Sequence, residues 1–454
     1  KDLPEFQTLN GTTIDPSKGV SESNPLMWID ALNIVFRRAK RRTNFLPKIR
    51  SMSVSGQQHG LVSLAKDGKL AKPTSKLWND FSTQSECELL NIGIGGTDKM
   101  IDAIGNSQKT GYTASKIFHM FRNEIDYFNA TTSFLLVHNY INWYLTGGVK
   151  VMEDGDASGT GLWDPISKTW SKKLIKIISE DLFDKLPIVK SSTKSIGKVA
   201  SDLIVKYGFD PNCTIDAGSG DNMYGAIGTG NIEPGIVTIS LGTSGTIYTM
   251  LDEAFVDPRG EIACFCNSIG GYMPLICVSN MAGVYNTFLE ANNLSHTSFE
   301  MMIKKTKPGN NGNLILPWFE GERTPDLPNG CPLYFGFNIE NLNLETLSRA
   351  ILEGLILNLH DGFIKLPVTP KTLHLTGGMS TSTVWCQTIS NIFNCKTVSV
   401  KDEGAALGAA IHAAWVWENE SGNEISLKEL SDPFIQFDQK LRFNPEKQYI
   451  DTYQ

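Results

Sequence analysis

The chain has 454 residues, which is too many for one compact core, so the length predicts two or three domains. With 41% hydrophobic residues, 20% charged residues and a net charge of −7, the composition is that of a globular protein. The short basic cluster Arg37–Arg42 lies at the end of a helical pattern, which argues against a nucleic-acid partner. We find no secretory segment and no apolar run long enough to span a bilayer. We therefore expect a cytoplasmic protein without a membrane partner.

Neither the cysteines nor the acidic loop Asp154–Gly159 predicts a metal site. The eight cysteines are scattered without the paired spacing of a zinc knuckle, so we expect buried free thiols. Asp154-Gly-Asp-Ala-Ser-Gly159 resembles the start of a calcium loop, but Pro165 stands where such a loop needs a glutamate. From the sequence alone, the ligands of any metal ion stay unknown.

The first half of the chain alternates short strand patterns, polar loops and helical patterns. The spacing of apolar residues predicts a helix over Ser23–Phe36 and a strand over Ile49–Val54, and Ser82 is a candidate cap for the next helix. Helical patterns dominate residues 110–147, and a further helix is predicted over Lys198–Lys206.

The second half alternates strands with helices more regularly, which indicates an α/β fold. The predicted strands and helices, in chain order, are Gly271–Val278, Gly283–Leu289, Leu344–Phe363, Thr372–Leu375, Thr383–Phe393, Thr397–Val400 and Ala405–Trp417. The two halves divide near residue 225, so we predict domains over residues 1–225 and 226–454.

The strongest chemical signal is the segment Thr214–Gly225, a strand-like run that ends in a glycine turn presenting Asp221. A carboxylate held on a rigid turn can accept a proton from a hydroxyl as that oxygen attacks phosphorus. Asp221 could equally cap the helix that follows it. The local sequence alone does not separate these two roles.

Two glycine turns are candidate anion sites. Gly242, Thr243, Ser244 and Gly245 follow a β-rich run and combine two hydroxyls with several backbone N–H donors. Gly377, Gly378 and Met379 lie between a strand and a helix, where phosphates can approach a helix N-terminus. Each segment could also be an ordinary hairpin or strand-to-helix turn, and neither matches the Walker pattern.

Two polar loops of the first half suit the hydroxyls of a polyol. Gln57-Gln58-His59 places amide and imidazole groups on a loop between glycines. Trp78, Asn79 and Asp80 add a stacking face and acceptors. The alternative for each of these residues is a solvated loop.

Taken together, these segments resemble the FGGY family of carbohydrate kinases, within the actin-like ATPase superfamily. The motifs that carry the resemblance follow the family's order along nearly the whole chain: Ser55-Gly-Gln-Gln-His-Gly60, Leu77-Trp-Asn-Asp80, Gly111-Tyr-Thr-Ala-Ser-Lys116, Gly218-Ser-Gly-Asp-Asn222, Ser240-Leu-Gly-Thr-Ser-Gly245, Glu322-Arg-Thr-Pro325, Thr376-Gly-Gly378 and Glu403-Gly-Ala-Ala-Leu-Gly408. One departure is His119, which stands where the family commonly has tryptophan.

The resemblance implies two RNase H-like domains around a deep cleft, with the last helix packing back on the first domain. It implies ATP and Mg²⁺ as cofactors, and Asp221 as the base that activates the 5-hydroxyl of D-xylulose. By the same resemblance, the sugar contacts are Gln58, His59, Trp78, Asn79, Asp80, Asp221 and Asn222. The nucleotide contacts are Gly242, Thr243, Ser244, Gly245, Gly377, Gly378 and Met379. A homodimer is left open.

Members of the family normally open with a β-hairpin that carries an Asp-x-Gly-Thr phosphate loop, and no such segment precedes Asp2-Leu-Pro-Glu5. We therefore expect this sequence to be a shortened form of an active kinase, with one edge of its first sheet unpaired. The alternatives are a kinase for another sugar or sugar acid, such as ribulose or gluconate, and a sugar-binding homologue without catalysis. A structural α/β protein would leave the ordered motifs as coincidence.

Overall fold

The computed structural model describes residues 11–42, 44–319, 321–401 and 404–453. Strands and helices alternate within these ranges, which confirms the predicted α/β class. The opening segment Asp2–Glu5 and Glu403 of the last motif lie outside the described residues. No helix within the described ranges combines the length and the apolar character that crossing a membrane would require.

The first half contains short strands and helices of five to eighteen residues. Its strands are β1 (Thr13–Asp15), β2 (Val20–Ser23), β3 (Ser51–Met52), β4 (Ser55–Gly56), β5 (Val62–Leu64), β6 (Ser75–Lys76), β7 (Ser133–Leu135), β8 (Val151–Glu153), β9 (Trp163–Asp164), β10 (Thr169–Trp170), β11 (Ile188–Lys190), β12 (Ser195–Lys198), β13 (Thr214–Asp216) and β14 (Ser219–Gly220). Its helices are α1 (Pro25–Arg42), α2 (Gln84–Ile94), α3 (Thr97–Ile104), α4 (Thr113–Asn123), α5 (Ile125–Ala130), α6 (Val137–Thr146), α7 (Asp154–Ser158), α8 (Lys172–Ile178) and α9 (Ser201–Tyr207).

The second half has longer strands. They are β15 (Ile236–Leu241), β16 (Gly245–Thr249), β17 (Ala263–Cys266), β18 (Tyr272–Val278), β19 (Leu314–Leu316), β20 (Leu333–Phe335), β21 (Thr372–Thr376), β22 (Thr397–Val400) and β23 (Phe437–Phe443). Helix α10 (Asp221–Gly228) spans the division between the halves. The helices of the second half are α11 (Ala282–Ala291), α12 (His296–Lys304), α13 (Leu344–Phe363), α14 (Thr383–Ile392), α15 (Ala405–Glu420), α16 (Leu427–Ser431) and α17 (Ile450–Tyr453).

A mixed sheet organises the second half, and its strand order is β17-β18-β16-β15-β21-β22-β23. β15 pairs antiparallel with β16 and parallel with β21, and β21 pairs parallel with β22. The carboxyl ends of these three parallel strands therefore meet at one edge of the sheet. The turn at Gly242 and the turn at Gly377 both begin at that edge, which is the usual place for a ligand in an open α/β sheet. Helix α13 packs on this sheet through buried leucines.

In the first half, two pairs of parallel strands bring distant segments together. β13 pairs with β3, and β14 pairs with β4 a few residues further along. The loop after β4 and the turn after β14 therefore leave the strands at the same edge. This pairing positions the Gln57–His59 loop beside Asp221.

The two halves meet through helices α10 and α15. The alanine-rich α15 also lies against β3 and β13 of the first half. Glycines allow the close approach: a Cβ at Gly408 would clash with the Tyr224 carbonyl oxygen, and a Cβ at Gly228 with the backbone of Gly404. Small residues at such crossings let two helix backbones come into direct contact.

A fully buried histidine completes this junction. His412 of α15 lies with Nδ1 2.8 Å from Asp216 Oδ2 and with Nε2 2.8 Å from the carbonyl oxygen of Ser268. Asp216 ends β13 in the first half, whereas Ser268 follows β17 in the second. One imidazole therefore ties together three segments that are far apart in the sequence.

Several predicted elements differ from the structure. Of the strand expected over Ile49–Val54 only β3 (Ser51–Met52) forms, and β4 begins after the predicted range. The helical stretch 110–147 is interrupted by β7, which pairs with β5. The Ser82 cap was wrong: α2 begins after Thr83, and the Ser82 hydroxyl instead donates to Asp80. All eight cysteines are free thiols, as predicted, but the predicted burial holds for six of them: Cys277 is half-buried and Cys331 is exposed.

Candidate active site

The loop Gln57–His59, called the polyol loop below, and the turn at Asp221 are connected by hydrogen bonds. The Asn222 side-chain amide donates to Gln58 Oε1 at 3.1 Å and to Asp221 Oδ1 at 3.3 Å. Gly220 permits this approach, because a Cβ there would lie 2.6 Å from Gln58 Cγ. The structure thus brings together three of the residues that the sequence predicted separately.

Asp221 is the first residue of α10, and its environment suits a base. Its Oδ1 accepts the backbone N–H of Asn222 at 2.9 Å, while Oδ2 receives no hydrogen bond from the described part of the chain. The Asp221 side chain is open to solvent, but desolvation by the surrounding protein raises its pKa to about 6; the Asn222 N–H opposes this shift and the charge of Asp156 adds to it. The carboxyl is therefore ionised at neutral pH and still basic enough to accept a proton.

The His59 loop is held in a conformation that few side chains adopt. His59 has φ = 66°, and its carbonyl oxygen accepts from Lys116 Nζ at 2.8 Å. Lys116 also donates to the carbonyl oxygen of Gly111 at 2.6 Å. Lys116 belongs to a motif that the sequence singled out, but only the structure shows that it supports the polyol loop.

Two polar atoms of this loop, Gln58 Nε2 and His59 Nδ1, are buried without a hydrogen bond of normal geometry to any described residue. The Gly159 backbone lies beside the His59 ring. Burial, together with the charge of Lys116, lowers the pKa of His59 to about 3, so the imidazole is neutral. Because buried polar atoms are nearly always hydrogen-bonded in proteins, these two atoms fit the hydroxyls of a ligand.

Trp78 and Asn79 offer ligand contacts next to the same loop. Trp78 is 43% exposed, and its carbonyl oxygen lies against Gly111, where a Cβ would clash. Gly111 has φ = 90°, so this position needs glycine for two reasons. Asn79 Oδ1 is buried and has no hydrogen-bond partner among the described residues.

Asp80 is placed differently from its two neighbours. Its carboxylate is fully buried and accepts from the Ser21 N–H at 2.9 Å, the Ser82 hydroxyl at 2.6 Å and Lys76 Nζ at 3.3 Å. These partners occupy the carboxylate from within the chain. Asp80 therefore fixes the loop that carries Trp78 and Asn79.

The segment Gly242–Gly245 is the turn of the β15–β16 hairpin, so the hairpin interpretation of the sequence is also correct. The carbonyl oxygens of Gly242 and Thr243 accept from the first N–H groups of α11, at 3.1 and 3.2 Å. The N–H groups of Thr243 and Ser244 have no acceptor among the residues that the structure describes. Free N–H groups on a short turn form an anion-binding concavity.

The second glycine turn lies against the first. Gly377 has φ = 86°, and a Cβ there would lie 2.7 Å from the carbonyl oxygen of Leu241. A Cβ at Gly378 would meet nothing within 4 Å, so this side of the turn faces open space. Met379 packs partly buried against the core of the second half. The two predicted phosphate turns therefore share one sheet edge.

Asp221 lies near the strand that follows the phosphate turn. Helix α10 packs on β16, where Gly225 faces the Tyr248 hydroxyl. Burial and the charge of Asp221 both raise the pKa of Tyr248. The predicted base is thus close to the hairpin that carries the Gly242 turn.

A buried trio, His138, Glu153 and Asp156, has the residue types of a metal site, with candidate ligand atoms within 4.8 Å of one another. The Asn139 amide excludes this role for His138. Asn139 Oδ1 accepts the Leu136 N–H, so its Nδ2 donates to His138 Nε2 at 2.8 Å. The ring hydrogen must then be on Nδ1, which lies 2.7 Å from Asp156 Oδ2 and cannot bind a cation.

The other two interactions in the trio shift the pKa values of His138 and Glu153. Burial opposes a charged His138 ring, but the neighbouring Asp156 prevails and raises its pKa. Burial and the charge of Asp156 raise the pKa of Glu153 to about 8. In the metal-free chain, these shifts favour protons shared among the three side chains.

The fold and the site together define a two-domain α/β carbohydrate kinase. Sequence comparison gives the family. The N-terminal domain of the FGGY family of carbohydrate kinases matches residues 2–228, and the C-terminal domain of the same family matches residues 237–417. The chain belongs to the FGGY family of carbohydrate kinases.

Individual relatives agree with this assignment. The chain is 35% identical to the xylulose kinase of Haemophilus influenzae over 453 residues, which cover 97% of this chain and 90% of that protein. It is 29% identical to the xylulose kinase of Bacillus subtilis, with 97% and 88% covered.

Solved structures show the same fold. The ligand-bound xylulose kinase of Lactobacillus acidophilus superposes with a TM-score of 0.86 at 24% identity, covering 97% of this chain and 88% of that chain. The gluconate kinase of the same organism gives a TM-score of 0.87 at 24% identity, with the same coverage. These likenesses confirm the predicted two-domain fold, and they do not separate one sugar from another.

Proposed function

We propose that this chain transfers the γ-phosphoryl group of ATP to the 5-hydroxyl of D-xylulose, with Asp221 as the general base. The observation that carries the proposal is the Asp221 carboxylate, with a pKa of about 6, an unoccupied Oδ2 and a hydrogen-bonded link through Asn222 to the polyol loop. The relatives named as xylulose kinases support the choice of sugar.

The sugar would lie against the first half. Gln58 Nε2, His59 Nδ1 and Asn79 Oδ1 are the unpartnered atoms that fit its hydroxyls. Trp78 would cover an apolar face of the sugar, and Asn222 would hold Asp221 in place. We assign Asp80 a supporting role in this loop, because its own chain already occupies the carboxylate.

The nucleotide would lie against the second half. The free N–H groups of Thr243 and Ser244, with the small residues Gly242 and Gly245, fit the phosphates of ATP. Gly377, Gly378 and Met379 would face the rest of the nucleotide. Mg²⁺ would neutralise phosphate charge during transfer, and we assign no protein ligands to it.

Domain assignment follows from these roles. We propose a sugar domain over residues 1–225 and a nucleotide domain over residues 226–454, a division close to the gap between the two family matches. We place the activity in the cytoplasm, on small-molecule substrates and without a nucleic-acid or membrane partner. Analytical ultracentrifugation would test whether the protein is a homodimer.

A coupled ADP-release assay tests the proposal. It would compare D-xylulose, D-ribulose, L-ribulose, glycerol and gluconate, with Mg²⁺ present, for the protein and for Asp221→Ala. We expect D-xylulose to give the highest kcat/KM and Asp221→Ala to abolish turnover. Higher kcat/KM with another substrate would overturn the sugar assignment, and equal turnover by Asp221→Ala would overturn the base assignment.

A further inference from the structure

Glu322 is a buried carboxylate that is surrounded by N–H donors. It is 3% exposed, and its Oε1 accepts the backbone N–H groups of Ser279 at 2.5 Å and Arg323 at 2.7 Å. Its Oε2 accepts the side-chain amides of Asn280 and Asn358, each at 3.0 Å. Hydrogen bonds to a charged acceptor are among the stronger ones in proteins.

No cation shares this site within the described ranges of the chain. The guanidinium of the neighbouring Arg323 instead reaches Cys277 Sγ at 3.4 Å and lies over the Phe81 ring at 5.6 Å. The Glu322 charge is therefore balanced by N–H dipoles alone. Such an arrangement holds only if those N–H groups keep their positions, so the carboxylate and the turn at Ser279–Asn280 fix each other.

This turn leads directly into α11 and the phosphate turn. Met281 follows Asn280, and its side chain packs on Gly245, where a Cβ would lie 2.8 Å from Met281 Cε. The next two residues, Ala282 and Gly283, donate their N–H groups to the carbonyl oxygens of Gly242 and Thr243. The contact path from Glu322 to the phosphate turn is thus continuous.

Because peptide units are planar, these contacts also fix the direction of the N–H groups in the phosphate turn. In a trans peptide, the C=O and the N–H of one unit point in opposite directions. Because α11 holds the carbonyls of Gly242 and Thr243, the N–H groups of Thr243 and Ser244 must point away from α11. These are the two N–H groups without an acceptor.

We propose that Glu322 is a positioning residue for nucleotide binding: by fixing the start of α11, it aims the Thr243 and Ser244 N–H groups at the phosphates. This inference rests on the proposed function of the Gly242–Gly245 turn. Glu322 touches neither the sugar nor the reacting atoms, so its removal should weaken nucleotide binding and leave sugar binding unchanged.

The test is Glu322→Gln, which keeps the shape of the side chain but removes the charge and places an NH₂ group among N–H donors. Titration calorimetry would measure binding of a non-transferable ATP analogue and, separately, of D-xylulose. We expect the Kd for the analogue to rise roughly tenfold to a hundredfold, as for loss of hydrogen bonds to a charged acceptor. The Kd for D-xylulose should change less than about twofold. The matched control is Glu340→Gln, an exposed glutamate that should change neither Kd.

Each other outcome has a defined meaning. If the unaltered protein binds no ATP analogue, the proposed function of the turn fails. If it binds the analogue and Glu322→Gln binds it equally well, this inference is overturned. Should Glu322→Gln not fold, Asn280→Ala removes one side-chain donor to Glu322, together with the bonds of the same amide to Gly321 and Phe319. An unchanged Kd for the analogue in that variant would also overturn the inference.

Discussion

At the scale of single residues, Asp221 has to meet two requirements. It must be ionised before it can accept a proton, and it must hold that proton well enough to be an effective base. A pKa of about 6 satisfies both at neutral pH, and desolvation by the surrounding protein is the main cause of that value. The helix that starts at Asp221 does not prevent this role, because only Oδ1 is engaged by the Asn222 N–H.

Replacing Asp221 by Asn keeps the size of the side chain and removes the base. We expect kcat with D-xylulose to fall by about 10²- to 10⁴-fold, the usual contribution of a positioned general base. Sugar affinity should stay within a few-fold, because Asn222 and Gln58 are unchanged. Steady-state kinetics and calorimetry would measure both, with the loop variant Asp252→Asn as control. A kcat close to that of the unaltered protein would show that Asp221 is not the base.

The pH dependence follows from the raised pKa. Since the base must be deprotonated, kcat/KM should decrease as the pH falls through about 6. Asp156→Asn should shift this decrease in kcat/KM to lower pH, because the Asp156 charge raises the pKa of Asp221. Measurements of kcat/KM between about pH 5 and 8 would locate the decrease for both proteins. A decrease at the same pH in Asp156→Asn would contradict the assigned electrostatic effect.

The sequence predicted the loops of the candidate site but not the contacts of every residue in them. Asn79 and Asp80 are adjacent in the same motif, yet one has a free oxygen and the other is occupied by Ser21, Ser82 and Lys76. Ser21 is far away along the chain, so no local pattern could reveal that contact. The support of His59 by Lys116 was hidden for the same reason.

At the scale of elements, prediction succeeded where one element carries its own signals. Helix α13 has the predicted limits Leu344–Phe363, because its apolar period is strong and Asn343 caps its first turn. Strand β22 also has the predicted limits. By contrast, the short strands β3 and β7 exist because β13 and β5 pair with them. Pairing with a strand that is distant in the chain cannot be predicted from a short stretch of sequence.

The two glycines of the second phosphate turn should differ in their tolerance of a side chain. Gly377→Ala would place a Cβ 2.7 Å from the Leu241 carbonyl oxygen at a positive φ, so we expect a loss of about 1–3 kcal/mol in the free energy of unfolding. The matched control, Gly378→Ala, meets nothing within 4 Å and should leave stability nearly unchanged. Denaturant unfolding would measure both variants, and equal stabilities would contradict the described turn.

At the scale of the whole molecule, the site depends on how the two halves are joined. Asp221 starts α10, and α10 packs on α15 through glycines at the crossing. The sequence predicted α15 and its small residues, but it could not show which helix crosses it. The crossing fixes the position of Asp221, the proposed base, relative to the sheet that carries the Gly242 and Gly377 turns.

Gly408→Ala tests this crossing. The added Cβ would clash with the Tyr224 carbonyl oxygen, so α10 and α15 would have to separate, at a cost of about 1–3 kcal/mol. We also expect kcat to fall, because Asp221 moves with α10. Thermal melts and the ADP-release assay would measure the two effects, with the exposed Ala410→Ser as control. Unchanged stability and activity would show that the crossing is looser than described.

The His412 contact has a consequence for the order in which the protein can form. Asp216 and Ser268 emerge from the ribosome long before His412, which lies close to the end of the chain. Until α15 is synthesised, the fully buried Asp216 lacks its imidazole partner and α10 lacks the helix that covers it. Domains usually fold as units during synthesis, with the N-terminal one first. Here α15, from the second half, supplies a contact that the first half lacks, so we expect nascent chains that stop short of α15 to expose an uncovered α10 to chaperones and proteases.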